Sequence, residues 1–387
     1  MRIAYVINSV EGGGAALPVP AVTRVMRNHG AHVEVFALTR RDGRAIDAME
    51  GDDLRVHVRP GGEKDHPAAL SWLTATLREW APDVIWTSLT RATLLGQIVG
   101  GRIGAPVVSW QHAAFLKPAN RVLLRARQGR SALWIADSHC VADLTARRLG
   151  VPAERLAVWP LFAADPAAPQ ASPWRPGDTL RIGNLGRLHR VKGHDVLLSA
   201  LARLRAQGLC ALPPIELTIA GEGAERAALE AQAAALGLDG VVRLPGYVGQ
   251  PREFLAGLHL YVHPSRSEGL CIAVHEAMQA GLPTLVSAVG EMPYSVRDGD
   301  TGLVVPPEAP AALAQALIWL LSRPERLEAM GAAARARVLE RFGAEAFAQA
   351  GAEVMARLPD GANRPAAVRH RSPGRPASGL PASRRAG

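Results

Sequence analysis

Two glutamates lie eight positions apart in one short stretch, residues 263–281, which reads HPSRSEGLCIAVHEAMQAG. Glu268 stands in a loop beside Gly269, and Glu276 stands in the first turns of the following helix, which Gly281 should end. The free N–H groups and the dipole at the start of that helix favour an anion. The stretch therefore predicts a ligand site with two carboxylates, and such a pair could also suit hydrolysis by acid–base catalysis.

A second loop carries two cations. Residues 180–185 read as a buried strand, residues 186–193 as a glycine-containing basic loop, and residues 195–206 as a helix. Arg187 and Lys192 lie in this loop, where two cations can meet one diphosphate. The alternative interpretation is a pair of solvated loop cations.

Alternating strand and helix patterns surround both loops and predict an α/β chain of two doubly wound, Rossmann-like domains. Residues 1–160 form the first domain, and a proline-rich linker at 161–178 leads to the second domain at 179–342. A further helix at 343–358 should return to the first domain. Two such domains place a cleft between the carboxyl ends of their sheets.

Four residues of the first domain should face that cleft. The first strand leads into Gly12, Gly13 and Gly14, which let a ligand approach the backbone closely, with a plain flexible turn as the alternative. Residues 106–112 read as a strand that ends on His112. Because ligands of doubly wound folds bind where parallel strands end, the glycine loop lies where a ligand is expected.

The charge of the chain is unevenly distributed. The 387 residues carry a net charge of +9, and residues 359–387 contribute +5 of it through six arginines and one acid. The remainder is mildly basic, which suits an enzyme for anionic substrates or one at an acidic membrane surface, and equally a protein with neither partner. The proline-rich tail should be disordered, and an electrostatic hold on an anionic membrane is the alternative hypothesis for it.

Three cysteines, Cys140, Cys210 and Cys271, lie far apart, which argues against a disulfide framework or a zinc site. No stretch approaches the roughly 20 apolar residues of a membrane-spanning helix, and the N-terminal apolar run is too short for a signal peptide. We therefore expect a cytoplasmic protein, at most peripheral at the inner face of the cell membrane, with no nucleic-acid partner.

The second domain resembles the retaining, GT-B-fold glycosyltransferases of family 4, the glycosyl transferases group 1. Its segments follow that family's order: GNLGRLHRVKGHDVLLSAL, LTIAGEGAERAAL, VVRLPGYV, and then the stretch with the E-x7-E pair and TGLVVPP. The first domain is similar in outline, through its glycine loop. The resemblance implies retaining transfer of a sugar from a UDP-sugar or GDP-sugar donor to a lipid-linked or saccharide acceptor.

By this resemblance, the second domain holds the donor. Arg187 and Lys192 would stabilise the diphosphate electrostatically, so that no metal and no other cofactor is expected. Glu276 would accept hydrogen bonds from the ribose hydroxyls, and Glu268 would contact hydroxyls of the donor sugar. The sugar and the distal phosphate would also meet backbone N–H groups at Gly269, Leu270 and Cys271.

The remaining candidate positions would border the nucleotide and the acceptor. Tyr247 and Val248 would lie beside the base, and Gly221 and Gly223 would allow close approach to the nucleotide. Gly12, Gly13 and Gly14 would face the donor phosphates. His112 would lie near the donor sugar and the acceptor, and a structural histidine is the alternative for it.

The resemblance also implies a mechanism. Retaining members lack an obvious nucleophile, so the acceptor hydroxyl would attack on the face that the phosphate leaves, and the two glutamates would not act as a hydrolytic pair. Two other classes of function remain open. The chain could modify a sugar nucleotide without transferring the sugar, as an epimerase does, or it could bind sugar nucleotides or glycans without catalysis.

Overall fold

The computed structural model describes residues 1–112, 116–207 and 212–359. Cys210 and all but the first residue of the predicted disordered tail lie outside these ranges. Among the described residues, no helix is both long enough and apolar enough to cross a membrane.

Two separate parallel sheets organise the chain, which confirms the predicted α/β class. The first sheet contains β1 (Arg2–Ile7), β2 (His32–Ala37), β3 (Val56–Val58), β4 (Val84–Ser88), β5 (Val107–Gln111), β6 (Leu133–Ala136) and β7 (Leu156–Val158). The second contains β8 (Leu180–Leu185), β9 (Ile215–Ala220), β10 (Val242–Gly246), β11 (Leu260–His263), β12 (Thr284–Ser287) and β13 (Gly302–Val305).

Both sheets have the doubly wound strand order. The first runs β3-β2-β1-β4-β5-β6-β7 and the second β10-β9-β8-β11-β12-β13, with parallel pairing throughout. The central strands are apolar along almost their whole length because helices cover both faces, and β4 and β5 are entirely buried. The order reverses between β1 and β4 and between β8 and β11, so each domain opens a crevice at that point.

The helices lie on both faces of the sheets. Those of the first domain are α1 (Val19–Asn28), α2 (Ile46–Glu50), α3 (His66–Trp80), α4 (Thr90–Ile103), α5 (Pro118–Arg127) and α6 (His139–Leu149). Those that follow are α7 (His194–Ala206), α8 (Arg226–Ala235), α9 (Pro251–Ala256), α10 (Ile272–Gln279), α11 (Met292–Ser295), α12 (Pro310–Leu321), α13 (Leu327–Phe342) and α14 (Ala344–Ala356).

The strand and helix pattern did not predict five of these elements. The strands β7 and β13 are short edge strands, and α2 and α11 have at most five residues, so each carries too little periodicity to stand out. Helix α5 is ten residues long, but only Leu124 of it is buried. Its remaining apolar residues do not face the core, which removes the usual signal of an amphipathic helix.

The chain passes between the domains twice, and the two passages lie side by side. Leu161 belongs to the core of the first domain, whereas Phe162 and Ala164 pack into the core of the second. The Ala164 N–H donates to the carbonyl of Phe342, 2.6 Å away, at the end of α13. Residues 161–178 contain no helix or strand, yet this first part of the predicted linker is packed rather than free.

Helix α14 returns to the first domain after α13. Phe347, Val354 and Met355 are buried in the core of the first sheet, and the Phe347 ring lies 5.5 Å from that of Trp159. The Arg357 guanidinium donates to the carbonyl of Leu156 at 2.9 Å. The last described helix therefore completes the hydrophobic core of the domain in which the chain begins.

We predict that Phe347→Ala destabilises the first domain by about 3–5 kcal/mol, because it leaves a cavity beside Trp159. Urea unfolding followed by tryptophan fluorescence should show an earlier midpoint, and hydrogen exchange should accelerate in α1 and β7 more than in the second sheet. Gln349→Ala, on the exposed side of the same helix, is the control. Equal effects of the two changes would contradict this role of α14.

Candidate active site

The candidate residues lie where strands end at the crevices of the two domains. Arg187 and Lys192 follow β8, and Glu268 follows β11, the neighbouring strand across the reversal in strand order. In the first domain, the glycine loop follows β1 and His112 follows β5. The fold therefore brings together residues that are far apart in the sequence.

Three hydrogen bonds converge on one oxygen of Glu268. Its Oε1 lies 2.7 Å from Lys192 Nζ, 2.9 Å from His263 Nε2 and 2.6 Å from Ser265 Oγ. Within the described chain, its Oε2 has no hydrogen-bond partner. The carboxylate is thus fixed by one oxygen and keeps the other available for a ligand.

The charge state of this cluster follows from its contacts. Burial raises the pKa of Glu268, but the charge of Lys192 and the hydrogen bond from His263 outweigh it, so that this pKa lies well below its usual range. Burial lowers the pKa of the Lys192 ammonium, and Glu268 reverses that effect and raises it. Both groups are therefore charged at neutral pH.

His263 is a functional residue that the sequence reading did not include. It is fully buried, and burial lowers its pKa despite the neighbouring Glu268, so the ring is neutral at neutral pH. Because an ionised carboxylate only accepts, His263 donates from Nε2. Its Nδ1 lies 3.4 Å from Asn184 Nδ2, which links the carboxylate to β8.

The two loops that carry Lys192 and Glu268 are joined directly. Arg266 forms two hydrogen bonds with Asp195 at the start of α7, 2.7 and 2.8 Å long, and its backbone N–H donates to the carbonyl of Val191. Gly193 has a φ of 69°, and a Cβ there would collide with the carbonyl of Pro264. The glycine therefore permits the close contact that sets the position of Lys192.

Arg187 is exposed, and its side chain makes no hydrogen bond or ion pair with the described residues. Its charge lowers the pKa of Lys192, against the larger effect of Glu268, and both cations lie in the loop between β8 and α7. The two predicted cations therefore lie in one loop, but their side-chain contacts differ. Lys192 is held by a carboxylate, and Arg187 is available for an external anion.

Glu276 is partly buried, like Glu268, but lacks the partners that keep Glu268 ionised. Its half-buried carboxylate has no hydrogen-bond or ion-pair partner among the residues that the structure describes. Burial raises its pKa to about 7, with a smaller opposing effect of Arg252. The Glu276 carboxylate is partly removed from water and receives no hydrogen bond in return. A ligand that donates hydrogen bonds would provide them.

The segment between the two glutamates is tightly packed. Leu270 and Cys271 are buried, and Cys271 precedes α10 with a φ of 63°. A Cβ at Gly269 would collide with the carbonyl of His112, so only glycine allows the first domain to approach here. Burial, and secondarily Glu268, raises the pKa of the Cys271 thiol well above its usual range, so the thiol stays protonated at neutral pH.

His112 lies between two buried side chains, Ser88 at the end of β4 and Asp137 after β6. Its Nε2 lies 2.7 Å from Ser88 Oγ, and its Nδ1 lies 3.6 Å from Asp137 Oδ2, too far for a hydrogen bond. Burial raises the pKa of Asp137, and His112 opposes this. Sequence reading missed Ser88 and Asp137, although the signal was present, since each directly ends or follows a strand next to β5.

The glycine loop lies against the second domain. A Cβ at Gly14 would be 3.4 Å from the Ile272 side chain at the start of α10. The Gly12 N–H donates to Asp42 at 3.0 Å, and Gly13 has open space beyond Glu11. This loop therefore faces the N-terminus of α10 across the cleft.

The predicted base-binding loop also contacts the first domain. Tyr247 is exposed, and the Arg44 guanidinium lies 3.7 Å from the centroid of its ring. Val248 is half-buried beside it. Arg44 is a further site residue that sequence reading missed.

Gly221 and Gly223 pack against the cation loop. A Cβ at Gly221 would collide with the carbonyl of Gly186, and a Cβ at Gly223 with that of Leu188. In this structure, Gly221 and Gly223 let their loop pack closely against the backbone on either side of Arg187. Their influence on a ligand would therefore be indirect, through the position of that loop.

One group of side chains has the composition of a metal site. Ligand atoms of His263, Glu268 and Cys271 lie within 4.8 Å of one another. The Lys192 ammonium already occupies Glu268 Oε1 and places a positive charge in the same space. A metal ion would have to displace it, so these residues fit a cation poorly.

The comparisons with known families match both halves of the chain. The family described as Glycosyl transferases group 1 matches residues 170–337, and that described as Glycosyltransferase Family 4 matches residues 12–163. The chain belongs to the group 1 glycosyltransferases. Its architecture is the GT-B fold, and its two matched segments correspond to the two sheets.

Similar proteins support the same family. A D-inositol 3-phosphate glycosyltransferase of Thermobispora bispora is 28% identical over 410 residues, which cover 91% of this chain and 94% of that protein. One of Streptomyces griseus is 36% identical over 195 residues, 49% of this chain and 41% of that protein. The structure of Anabaena HepE in complex with UDP and glucose has a TM-score of 0.79 at 22% identity, and covers 92% of this chain and 100% of its own.

We predict that Glu276→Gln stabilises this glycosyltransferase in a pH-dependent manner. The folded protein disfavours the ionised carboxylate, so the wild type loses stability as the pH rises from about 4.5 through 7, and glutamine avoids this loss. Urea unfolding should show a gain of about 1–3 kcal/mol at pH 8 and almost none at pH 4.5. The exposed Glu325→Gln serves as the control, and parallel pH profiles for the wild type and Glu276→Gln would contradict the prediction.

We further predict that Lys192→Met destabilises the fold by about 3 kcal/mol, because it leaves the Glu268 carboxylate buried without its counter-charge. Adding Glu268→Gln should recover most of that stability, since the charge is then absent, while glycosyl transfer stays lost. Thermal unfolding and activity of both variants test this. If the double variant is no more stable than Lys192→Met, the ion pair is not what the single change disrupts.

Proposed function

We propose that this glycosyltransferase moves a sugar from a nucleotide-sugar donor, UDP- or GDP-linked, to a lipid-linked or saccharide acceptor, with retention of configuration and without a metal ion. One observation carries the donor assignment. Three carboxylate oxygens lack a hydrogen-bond partner among the described residues: both of Glu276, in α10, and Oε2 of Glu268, in the loop before α10. Glu268 also contacts Lys192, which lies in the same loop as Arg187. Groups suited to accepting hydrogen bonds from hydroxyls and to binding phosphate thus lie at one crevice.

Each part of a sugar nucleotide has a counterpart in this crevice. Glu276 would accept hydrogen bonds from two adjacent ribose hydroxyls, which relieves its uncompensated burial. Glu268 would use Oε2 for a hydroxyl of the sugar, while its Oε1 remains bound to Lys192. Arg187, Lys192 and the N-terminus of α10 would share the diphosphate.

The reaction would follow from this placement. As the bond between the anomeric carbon and the phosphate oxygen breaks, negative charge develops on the diphosphate, where the two cations stabilise it. The acceptor hydroxyl oxygen forms the new bond on the same face, and its proton passes to the departing phosphate oxygen. His112, held by Ser88, would border the sugar and the acceptor from the first domain.

The absence of a required metal is part of the proposal. It is supported by Lys192, whose ammonium already stands at the carboxylate that a metal would need. The relatives are named for D-inositol 3-phosphate, and the solved neighbour is described with UDP and glucose. These compounds are therefore the first to test as acceptor and as donor components.

We predict that a panel of UDP- and GDP-sugars will reveal one donor whose nucleotide is released only when an acceptor is present. D-inositol 3-phosphate, a polyprenyl-linked sugar and a free saccharide form the acceptor series, and NMR of the product reports the anomeric configuration. Glu276→Ala should reduce transfer by about a hundredfold, since two hydrogen bonds to a carboxylate are lost, whereas Glu325→Ala should not. Activity should persist in a metal chelator.

The other classes of function give different results in the same assay. An epimerase would convert the donor sugar without releasing nucleotide, and a binding module would bind the donor and release nothing. Full activity of Glu276→Ala would disprove the ribose assignment, and inversion at the anomeric carbon would disprove the front-face reaction.

A further inference from the structure

Helix α5 displays an apolar stripe to solvent. Ala119, Val122, Leu123 and Ala126 follow the helical spacing i, i+3, i+4, i+7, and all four are exposed. Val122 is 64% exposed and Leu123 is 49% exposed, among the most exposed large apolar residues that the structure describes. This stripe faces away from the core, which is the reverse of an ordinary surface helix.

The helix is nevertheless firmly attached. Leu124 is fully buried and packs in one cluster with Trp134 and Leu149. The outward direction of Val122 and Leu123 is therefore fixed by the packing of their neighbour. An apolar stripe held rigidly toward solvent calls for an explanation beyond local folding.

Cations accompany the stripe, and acids do not. Lys117, Arg121 and Arg125 are exposed and make no ion pair with the described residues. Between residues 84 and 136 the chain contains seven cationic residues and no aspartate or glutamate. The stripe together with Lys117, Arg121 and Arg125 is called the α5 face below.

We propose that the α5 face docks this protein on an anionic lipid bilayer, with Val122 and Leu123 inserted at the level of the headgroups. Such a surface attracts cations while shallow aliphatic side chains enter its interface. The inference goes beyond the proposed function, since it concerns a surface outside the candidate active site and does not depend on the donor.

Charge excludes two other occupants. A second copy placed symmetrically on this face would bring Arg121 and Arg125 against their own counterparts. The C-terminal segment of the chain, residues 359–387, is itself basic, with six arginines against one acid. Whatever covers the α5 face must therefore be anionic, and the shallow stripe fits an extended surface better than a groove.

The place of α5 in the fold is consistent with access to the site. The helix begins six positions after His112, on the side of the first sheet where the carboxyl ends of its strands face the cleft. A bilayer against this face would lie beside the acceptor side of the cleft.

The proposal is tested by sedimentation of the full-length protein with vesicles, in the absence of substrates. One set of vesicles contains phosphatidylcholine alone, and the other contains an equimolar mixture with phosphatidylglycerol. The wild type should bind the mixed vesicles, should not bind phosphatidylcholine alone, and should dissociate as salt is raised. Arg121→Gln with Arg125→Gln should weaken binding by at least about tenfold, since each cation strengthens it roughly fivefold.

Matched variants separate the α5 face from the rest of the chain. Val122→Ser with Leu123→Ser should also weaken binding about tenfold or more, whereas Arg323→Gln with Arg326→Gln, an exposed pair in the second domain, and Leu236→Ser should leave it unchanged. Circular dichroism verifies folding. Replacing all six arginines of residues 359–387 by glutamine, in the full-length chain, should leave most of the binding.

Three outcomes would overturn the proposal. The wild type could fail to bind the mixed vesicles, the tail variant alone could abolish binding, or the two α5 variants could bind as the wild type does. Binding of soluble polyglutamate that is as tight as vesicle binding, and that Val122→Ser with Leu123→Ser weakens to the same extent, would indicate an acidic protein partner instead of a bilayer. None of these outcomes affects the donor assignment, which the transfer assay tests separately.

Discussion

The convergence of three hydrogen bonds on Oε1 of Glu268 is the constraint on which the second domain's site depends. It fixes Lys192, and with it the loop after β8, to the loop after β11. It also keeps the carboxylate ionised in a buried place, which an isolated glutamate could not achieve there. Because all three donors bind Oε1, the side chain of Glu268 is held in place while its Oε2 is left for a ligand.

Glu268 and Glu276 have different surroundings, although the sequence places both in one short stretch. Glu268 is compensated inside the protein and belongs to the framework of the crevice, with one oxygen left over. Glu276 has no hydrogen-bond or ion-pair partner for its carboxylate among the described residues, so the burial of its charge is uncompensated. Lys192 and His263 stabilise the charge of Glu268, so its pKa is lowered. The charge of Glu276 is buried without such neighbours, so its pKa is raised.

The sequence allowed most of the fold to be predicted, because long apolar runs alternate with amphipathic helices and the two strand-to-helix loops keep recognisable glycines and charges. It also placed Arg187, Lys192, Glu268 and Glu276 in one crevice. It could not predict that His263 would act as a donor to Glu268, since that role depends on burial and on Asn184 from another strand. Ser88 and Asp137 carried a signal, since each stands at the end of a strand, but the strand order that brings them beside His112 cannot be read from the strand pattern alone. Helix α5 was missed because its apolar residues point outward.

The paired passages between the domains have a mechanical consequence. The chain leaves the first domain after Leu161 and returns after Phe342, and a hydrogen bond joins the two passages at Ala164. Two adjacent covalent connections restrict relative motion of the domains mainly to rotation about one axis, and they oppose sliding or twisting of the domains past each other. Gly269, whose lack of a Cβ lets the His112 carbonyl approach, lies where the two domains meet, so a rotation about that axis would separate these two groups.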